Sequence, residues 1–294
     1  MTIAPLSFES TGRFHRVPIG FGPAPTPRQD AEGNRFDWRK SEATTVGVTY
    51  SSDHDALNSI LPEGYSVDPS KEAIIMYEVM ELRNLPWLAG RGYNTLGVYI
   101  GNVKCTRTSR LYEGSYMAVL FESFTDPITT GREELGFCKL YADLPDAITE
   151  GSSRIHTASW FGKQFLRLEI PGLQDNDVSE APAHSPRPWT HPTQTGILHH
   201  RYVPSVGQPG KHDASYSTWC PPPAGSPKVL RYQTIPPSQF DKVKLDIAEG
   251  KWEELPTLWN VVESLRRIPR LEVKEVAVQR FQGASDLMAN QRID

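Results

Sequence analysis

The sequence predicts a mainly β, α+β fold: an antiparallel curved sheet or closed barrel with a few short helices. Short segments with two-residue hydrophobic alternation recur along most of the chain. Only one longer stretch shows three- and four-residue apolar spacing, and Gly- and Pro-rich turns separate the segments. Many antiparallel strands with few helices point to curvature or closure, because closure removes exposed strand edges.

Residues 1–44 are rich in proline, glycine and charge, and Pro18, Pro23, Pro25 and Pro27 exclude regular helix. They read as an N-terminal arm against one domain formed by residues 45–294. That domain opens with a strand carrying Val46, Val48 and Tyr50. A short helix follows, capped by Ser52 or Asp53, running through Leu57 and Ile60 and stopped by Pro62. Further strands are expected at 73–82, 97–105, 113–122, 154–160, 164–170, 196–203, 228–235 and 271–281, with a hairpin turn at Gly162-Lys163. Residues 174–193, with Pro182, Pro186, Pro188 and Pro192, read as a loop too long for a hairpin. So do residues 205–227, with Pro221, Pro222, Pro223 and Gly225. An amphipathic helix is predicted from about Trp252 to Leu265, placing Leu255, Leu258, Val262 and Leu265 on one face and Pro256 in the first turn. In the last strand Leu271 and Val273 share one parity while Val276 and Val278 share the other, which predicts a bulge near Lys274.

At 294 residues, 38% hydrophobic and 22% charged, with a formal net charge of -4, the chain has no basic excess to attract nucleic acid or an anionic membrane. Cys105, Cys138 and Cys220 are odd in number and lack a C-x-x-C spacing, so they read as reduced thiols of a cytoplasmic protein. The N-terminus has no basic start before an apolar run, and no stretch reaches the roughly 20 apolar residues of a membrane span.

The densest chemistry lies in Thr130-Gly-Arg-Glu-Glu-Leu-Gly-Phe-Cys-Lys-Leu-Tyr-Ala. This run resembles the signature of the acetoacetate decarboxylase family, in which Gly-Arg-Glu leads through a short spacer and an aromatic-Pro step to two lysines. The first of those lysines forms a Schiff base with the substrate, and by position it corresponds to Lys139. A second run, Met76-Tyr-Glu-Val-Met80, resembles the family's strand bearing a buried active-site glutamate, which falls on Glu78. The residues support that placement independently, because on a strand Glu78 shares a face with Ile74, Met76, Met80 and Leu82. Weaker similarity extends over roughly residues 45–281, leaving the arm and long loops outside it.

The resemblance implies a cone-shaped β-barrel, a homo-oligomer, a small keto-acid or carbonyl substrate, and no metal or organic cofactor. Its chemistry is that of a neutral amine attacking a ketone, so that the iminium nitrogen accepts the electrons released when carbon dioxide leaves the β position. Arg132, Glu133, Tyr93, Thr95, Phe137 and Leu140 are the implied substrate-binding positions.

Three departures from the family pattern bear on the reaction. Leu140 stands where the second lysine would be, Cys138 where the proline would be, and Thr95 where a second active-site glutamate would be. The cation beside the Schiff-base lysine is therefore missing, and Lys139 is expected to rely on desolvation, with Leu140 facing the pocket, or on Arg132. The family's arginine near its first strand has Arg39 as its nearest candidate. The expectation is a cofactor-independent Schiff-base lyase, a decarboxylase of a β-keto acid or polyketide-like carbonyl compound. The alternatives are an aldolase, dehydratase or cyclase on the same fold, or a non-catalytic binder of a hydrophobic carbonyl ligand.

Structural roles stand beside these. Glu78 could instead pair with a buried arginine, and Arg132 with Glu133 could fix the loop. Cys138 reads as a packed small residue, and Trp87 and Trp160 as core or pocket wall. His199 and His200 are consecutive and must point to opposite faces of a strand.

Overall fold

The computed structural model describes residues 12–180, 195–222 and 228–294. Strand β1 spans Glu42–Ser51, helix α1 His54–Asn58, β2 Tyr65–Val67, β3 Ile74–Arg83, β4 Tyr93–Cys105 and β5 Tyr112–Glu122. Helix α2 (Thr125–Thr130) runs into a π-helical turn, Gly131–Leu135, and then β6 (Lys139–Tyr141). There follow β7 Ile148–Glu150, β8 Ser153–Trp160, β9 Lys163–Pro171, β10 Gln174–Asn176, β11 Ile197–Pro204, β12 His212–Cys220, β13 Lys228–Thr234 and β14 Lys244–Ile247. Helix α3 (Trp259–Arg267), β15 (Val273–Gln282) and β16 (Gln291–Arg292) end the chain.

Twelve strands form one large sheet in the order β10-β13-β15-β1-β3-β4-β5-β11-β12-β16, with β2 on β4 and β6 on β5. This sheet is curved and does not close into a barrel. It is mixed, because β6 and β11 both run parallel to β5. Its outermost strands β10 and β16 have three and two residues, and such short edges limit edge-to-edge pairing. A second sheet of four strands, β14-β9-β8-β7, packs with α3 on one face of the first.

Alternation sorts the side chains of the large sheet. Val46, Val48, Tyr77, Val79, Leu96, Val98 and Phe121 point to the second sheet, where they form one core with Phe165, Leu166, Leu168, Val262 and Leu265. The Phe121 and Phe165 rings lie 5.2 Å apart across the layers. The opposite face carries Glu78 and Lys139.

Several local expectations are met. Asp53 caps α1 by accepting from the Ala56 amide at 2.9 Å. The bulge falls on Lys274, which is skipped where Thr49 pairs with Glu275 and Tyr50 with Val273. Others are corrected. The hairpin turn after β8 is Phe161-Gly162, one residue earlier than expected, with φ of 46° and 82°. Helix α3 begins at Trp259 because a turn around Pro256 precedes it, yet Leu255, Leu258, Val262 and Leu265 are all buried as expected. Residues 205–227 are not a loop throughout: β12 pairs with β11 along its length, after a turn from Ser205 to Lys211. Residues 174–176 likewise form β10. Pro182, Pro186, Pro188, Pro192, Pro223 and Gly225 lie outside the described residues. No helix among the described residues is long and apolar enough to cross a membrane.

Candidate active site

Register places the site. Gly47, Glu78, Gly97, Leu120 and Lys139 form one row across β1, β3, β4, β5 and β6. The neighbouring row is Thr45, Met80, Thr95 and Glu122. Partners in register project from the same face, so Lys139, Glu122, Thr95 and Glu78 share one surface. Three strand spacings separate the backbones of Glu78 and Lys139, about 14 Å at the usual sheet spacing. Gly97 lies between them without a side chain. The Tyr99 ring occupies the space over it, and a Cβ at Gly97 would meet that ring at 2.5 Å.

Lys139 is 7% exposed. Its ammonium donates to Glu122 Oε1 at 2.7 Å and to the Pro127 carbonyl at 3.0 Å. The geometry of the Gly-Arg-Glu run makes this reach possible. Gly131 has ordinary helical dihedrals (φ -70°, ψ -37°), so its backbone does not require glycine. A Cβ there would lie 2.3 Å from Lys139 Cε and 2.6 Å from Nζ, so the glycine is needed because the lysine lies across it. Gly136, at φ 76°, ends the π-helical turn, and its amide and that of Phe137 both donate to the Gly131 carbonyl. The chain thereby doubles back and enters β6 beside β5. π-Helical turns of this kind recur at functional sites.

Glu122 is almost wholly buried, and Oε2 has no hydrogen-bond partner among the described residues. Burial pushes its carboxyl above the usual carboxylate range, with the Lys139 and Arg28 charges acting the other way. Tyr99 hydrogen-bonds to Glu78, and burial, followed by the Glu78 charge, raises its phenol well above the ordinary value. Tyr93 lies on the same face with its hydroxyl end enclosed. Burial, then Glu122, raise its phenol, and Arg28 opposes them.

Sequence reasoning missed Glu122 and Arg28. Glu122 ends an expected strand as the only carboxylate after the apolar run Ala118 to Phe121, the same signal that singled out Glu78. Arg28 is 3% exposed, in a segment held by a Thr26–Gln29 bridge and by Gln29, whose amide donates to the Phe14 and Ala24 carbonyls. Its guanidinium and that of Arg16 both face Glu134 of the π-helical turn at 3.3 Å. Arg28 Nη1 has no hydrogen-bond partner among the described residues. No local pattern marks Arg28, since its burial depends on how the arm lies. Arg39, the expected candidate for this cation, is exposed and paired with Asp37.

The structure thus gathers Lys139, Glu78, Tyr93 and Thr95 on one face. Phe137 packs beneath, in a cluster with Tyr99 and Leu120. Other expected contacts are not found there. Leu140, next to Lys139 on a strand, points the opposite way and packs on the main core, so it does not face the amine. Exposed Arg132 donates to the Lys139 backbone carbonyl at 2.9 Å, which anchors β6. Glu133 is exposed, and no ion pair joins it to Arg132 among the described residues. Cys138 bonds to the Met117 carbonyl, and burial pushes its thiol up to about 12, which makes it unreactive. His199 is buried against Phe137 and Tyr116, and burial lowers its imidazole to about 4. His200 turns away to Ser215.

One face of a curved β-sheet thus carries a buried lysine in contact with Glu122, with Glu78 three strands away. The sequence pattern of the family described as acetoacetate decarboxylase (ADC) matches residues 18–220, and the chain belongs to that family. The match takes in the segment bearing Arg28, beyond the extent that the sequence resemblance suggested. Solved structures agree in fold. A solved acetoacetate decarboxylase superposes with a TM-score of 0.61 at 14% identity, covering 88% of this chain and 91% of its own. Acetoacetate decarboxylase from Legionella pneumophila gives 0.56 at 14% identity, covering 89% and 91%. The enduracididine biosynthesis enzyme MppR, complexed with pyruvate, gives 0.57 at 12% identity, covering 90% and 94%. No curated protein matches the chain in sequence.

Proposed function

We propose that this chain is a cofactor-independent Schiff-base enzyme, a decarboxylase of a β-keto acid or polyketide-like carbonyl compound, with Lys139 as the amine. The observation that carries the reading is Lys139 itself: buried, fixed at 2.7 Å from Glu122, and lying across a glycine that leaves room for no other side chain. A surface lysine would have none of these features. Glu78, with Tyr99 hydrogen-bonded to it, lies on the same face beyond the Tyr99 ring that covers Gly97, and serves proton transfer to the carbon released from carbon dioxide. Arg28, whose Nη1 has no hydrogen-bond partner among the described residues, binds the substrate carboxylate, and Tyr93 and Thr95 line the wall between them. The free thiols of Cys105, Cys138 and Cys220 fit a cytoplasmic setting, and a homo-oligomer completes the proposal.

A condensation or dehydration is the second reading. What favours it is that the amine is paired with a carboxylate and not with a second cation, so a base stands at the carbonyl carbon. A related fold supports it, since MppR is described in complex with the condensation product of pyruvate and imidazole 4-carboxaldehyde, at a TM-score of 0.52.

Carbon dioxide release from a panel of β-keto acids, run beside borohydride trapping, separates the readings. Trapping at Lys139 with carbon dioxide release is expected. Trapping with no release from any acid supports condensation or dehydration, and no trapping with any ketone removes the Schiff-base reading. Arg28→Gln is expected to raise KM for carboxylate substrates on the order of 10-fold or more, the loss of a charge-assisted hydrogen bond, while leaving uncharged ketones nearly unaffected. Equal losses for both substrate types would exclude a carboxylate-binding role.

A further inference from the structure

We infer that Glu122 is the base that discharges Lys139, replacing the neighbouring cation that the Leu140 position no longer supplies. The inference rests on the Schiff-base reading of Lys139 and goes beyond it by assigning the proton's destination. Leu140 cannot act on the amine, because it lies on the other face of the sheet. Arg132 is committed to the backbone carbonyl of Lys139. The group in contact with the amine is a carboxylate and not a cation, and it is the nearest acceptor for the amine's proton.

Three observations fit Glu122 for that transfer. Its Oε1 lies 2.7 Å from Nζ, within direct reach. Its Oε2 is buried and free of hydrogen bonds among the described residues, so it keeps an unused acceptor. Burial makes the carboxylate more basic than an exposed one, which favours its taking a proton. Thr95 lies directly across from Glu122 in the register, so Glu122 is the one carboxylate of the row Thr45, Met80, Thr95 and Glu122.

The step balances without any further reactant. Glu122 carboxylate takes one proton from the Lys139 ammonium, and the neutral amine adds to the carbonyl carbon. A second nitrogen proton passes to the carbonyl oxygen, giving the carbinolamine. Glu122 then returns its proton to that hydroxyl, the C–O bond breaks, water leaves, and the iminium retains one N–H. Glu122 ends as the carboxylate it began as.

The test is the rate at which acetylacetone forms its enamine on Lys139, followed by near-ultraviolet absorbance and by the protein mass increase of diketone less water. The groups surrounding the pair that could shape its pH profile are Arg28 from the arm, Arg132 from the π-helical turn, Cys138, Tyr93 and Tyr99 from β4, and Glu78 from β3. In wild type an adduct is expected at neutral pH. Glu122→Gln keeps the size and hydrogen-bonding reach of the side chain, and adduct formation is expected to slow on the order of 100-fold at pH 7. The deficit should shrink as pH rises towards 9, where hydroxide replaces the lost base. Glu122→Asp, with the carboxylate withdrawn by one methylene, should recover part of the rate. It carries the same test if the Gln variant does not fold. Folded variants reacting at the wild-type rate, or with a deficit constant across pH, overturn the inference while leaving the Schiff-base reading intact. Absence of an adduct in wild type removes both.

Discussion

Replacing Lys139 by alanine is expected to abolish turnover and imine trapping together, by on the order of 10⁴-fold or more, since no other lysine of the described residues shares its row on the sheet. Undiminished turnover would end the proposal. The same substitution has a second, independent consequence for stability. It leaves Glu122 buried without its partner, and breaking a buried pair from one side costs about 3–5 kcal/mol. Burial already raises the folded-state pKa of Glu122, and removing the ammonium, which opposes that rise, raises it further. The folded chain therefore holds this proton more tightly than the unfolded chain does. The stability contribution is fully present below the unfolded carboxyl value, about 4.3, and is lost as pH rises through the folded value. Urea melts of Lys139→Ala should accordingly show stability falling more steeply from pH 5 to pH 8 than in wild type. Equal slopes would mean that Glu122 is not held by Lys139.

Gly131→Ala is the second large effect, and it should separate activity from folding. The added Cβ lies on helical backbone that alanine accepts without strain, and the nearest atoms it meets belong to the lysine. At 2.3 Å from Cε and 2.6 Å from Nζ, it forces the flexible end of Lys139 to move away from Glu122 and the Pro127 carbonyl. Overpacking of this size costs about 1–3 kcal/mol, less where a mobile side chain can yield. A displacement of about 1 Å in a reacting group can cost on the order of 100-fold in rate. A folded protein with trapping and turnover reduced at least that much is expected, measured by thermal melting beside borohydride trapping. Full activity in Gly131→Ala would show that the amine works from another position.

Much of the fold was legible because the physical signals are local. Two-residue alternation located β3, β5, β8, β9 and β11 to within one residue at each end. A parity change within the last strand located the Lys274 bulge. The signal weakened where it was diluted. β12 was hidden among loop residues because Asp213, Ser215 and Ser217 alternate with modest side chains, and its partner β11 makes it a strand. The start of α3 was read early because Leu255 and Leu258 are buried in a turn that mimics helical spacing.

The sequence alone pointed to Lys139 and Glu78, because each stands in a run whose pattern is contiguous: Lys139 after Gly-Arg-Glu, and Glu78 inside an apolar strand face. The expectation that Leu140 faces the pocket failed because residues 139–141 form a strand, on which neighbouring side chains diverge. Only the tertiary structure decided what the amine touches. Glu122 reaches it through the parallel pairing of β5 with β6, and Arg28 comes near through the arm's attachment to Glu134. Neither relationship leaves a periodic trace, because pairing and docking depend on register between segments and not on spacing within one.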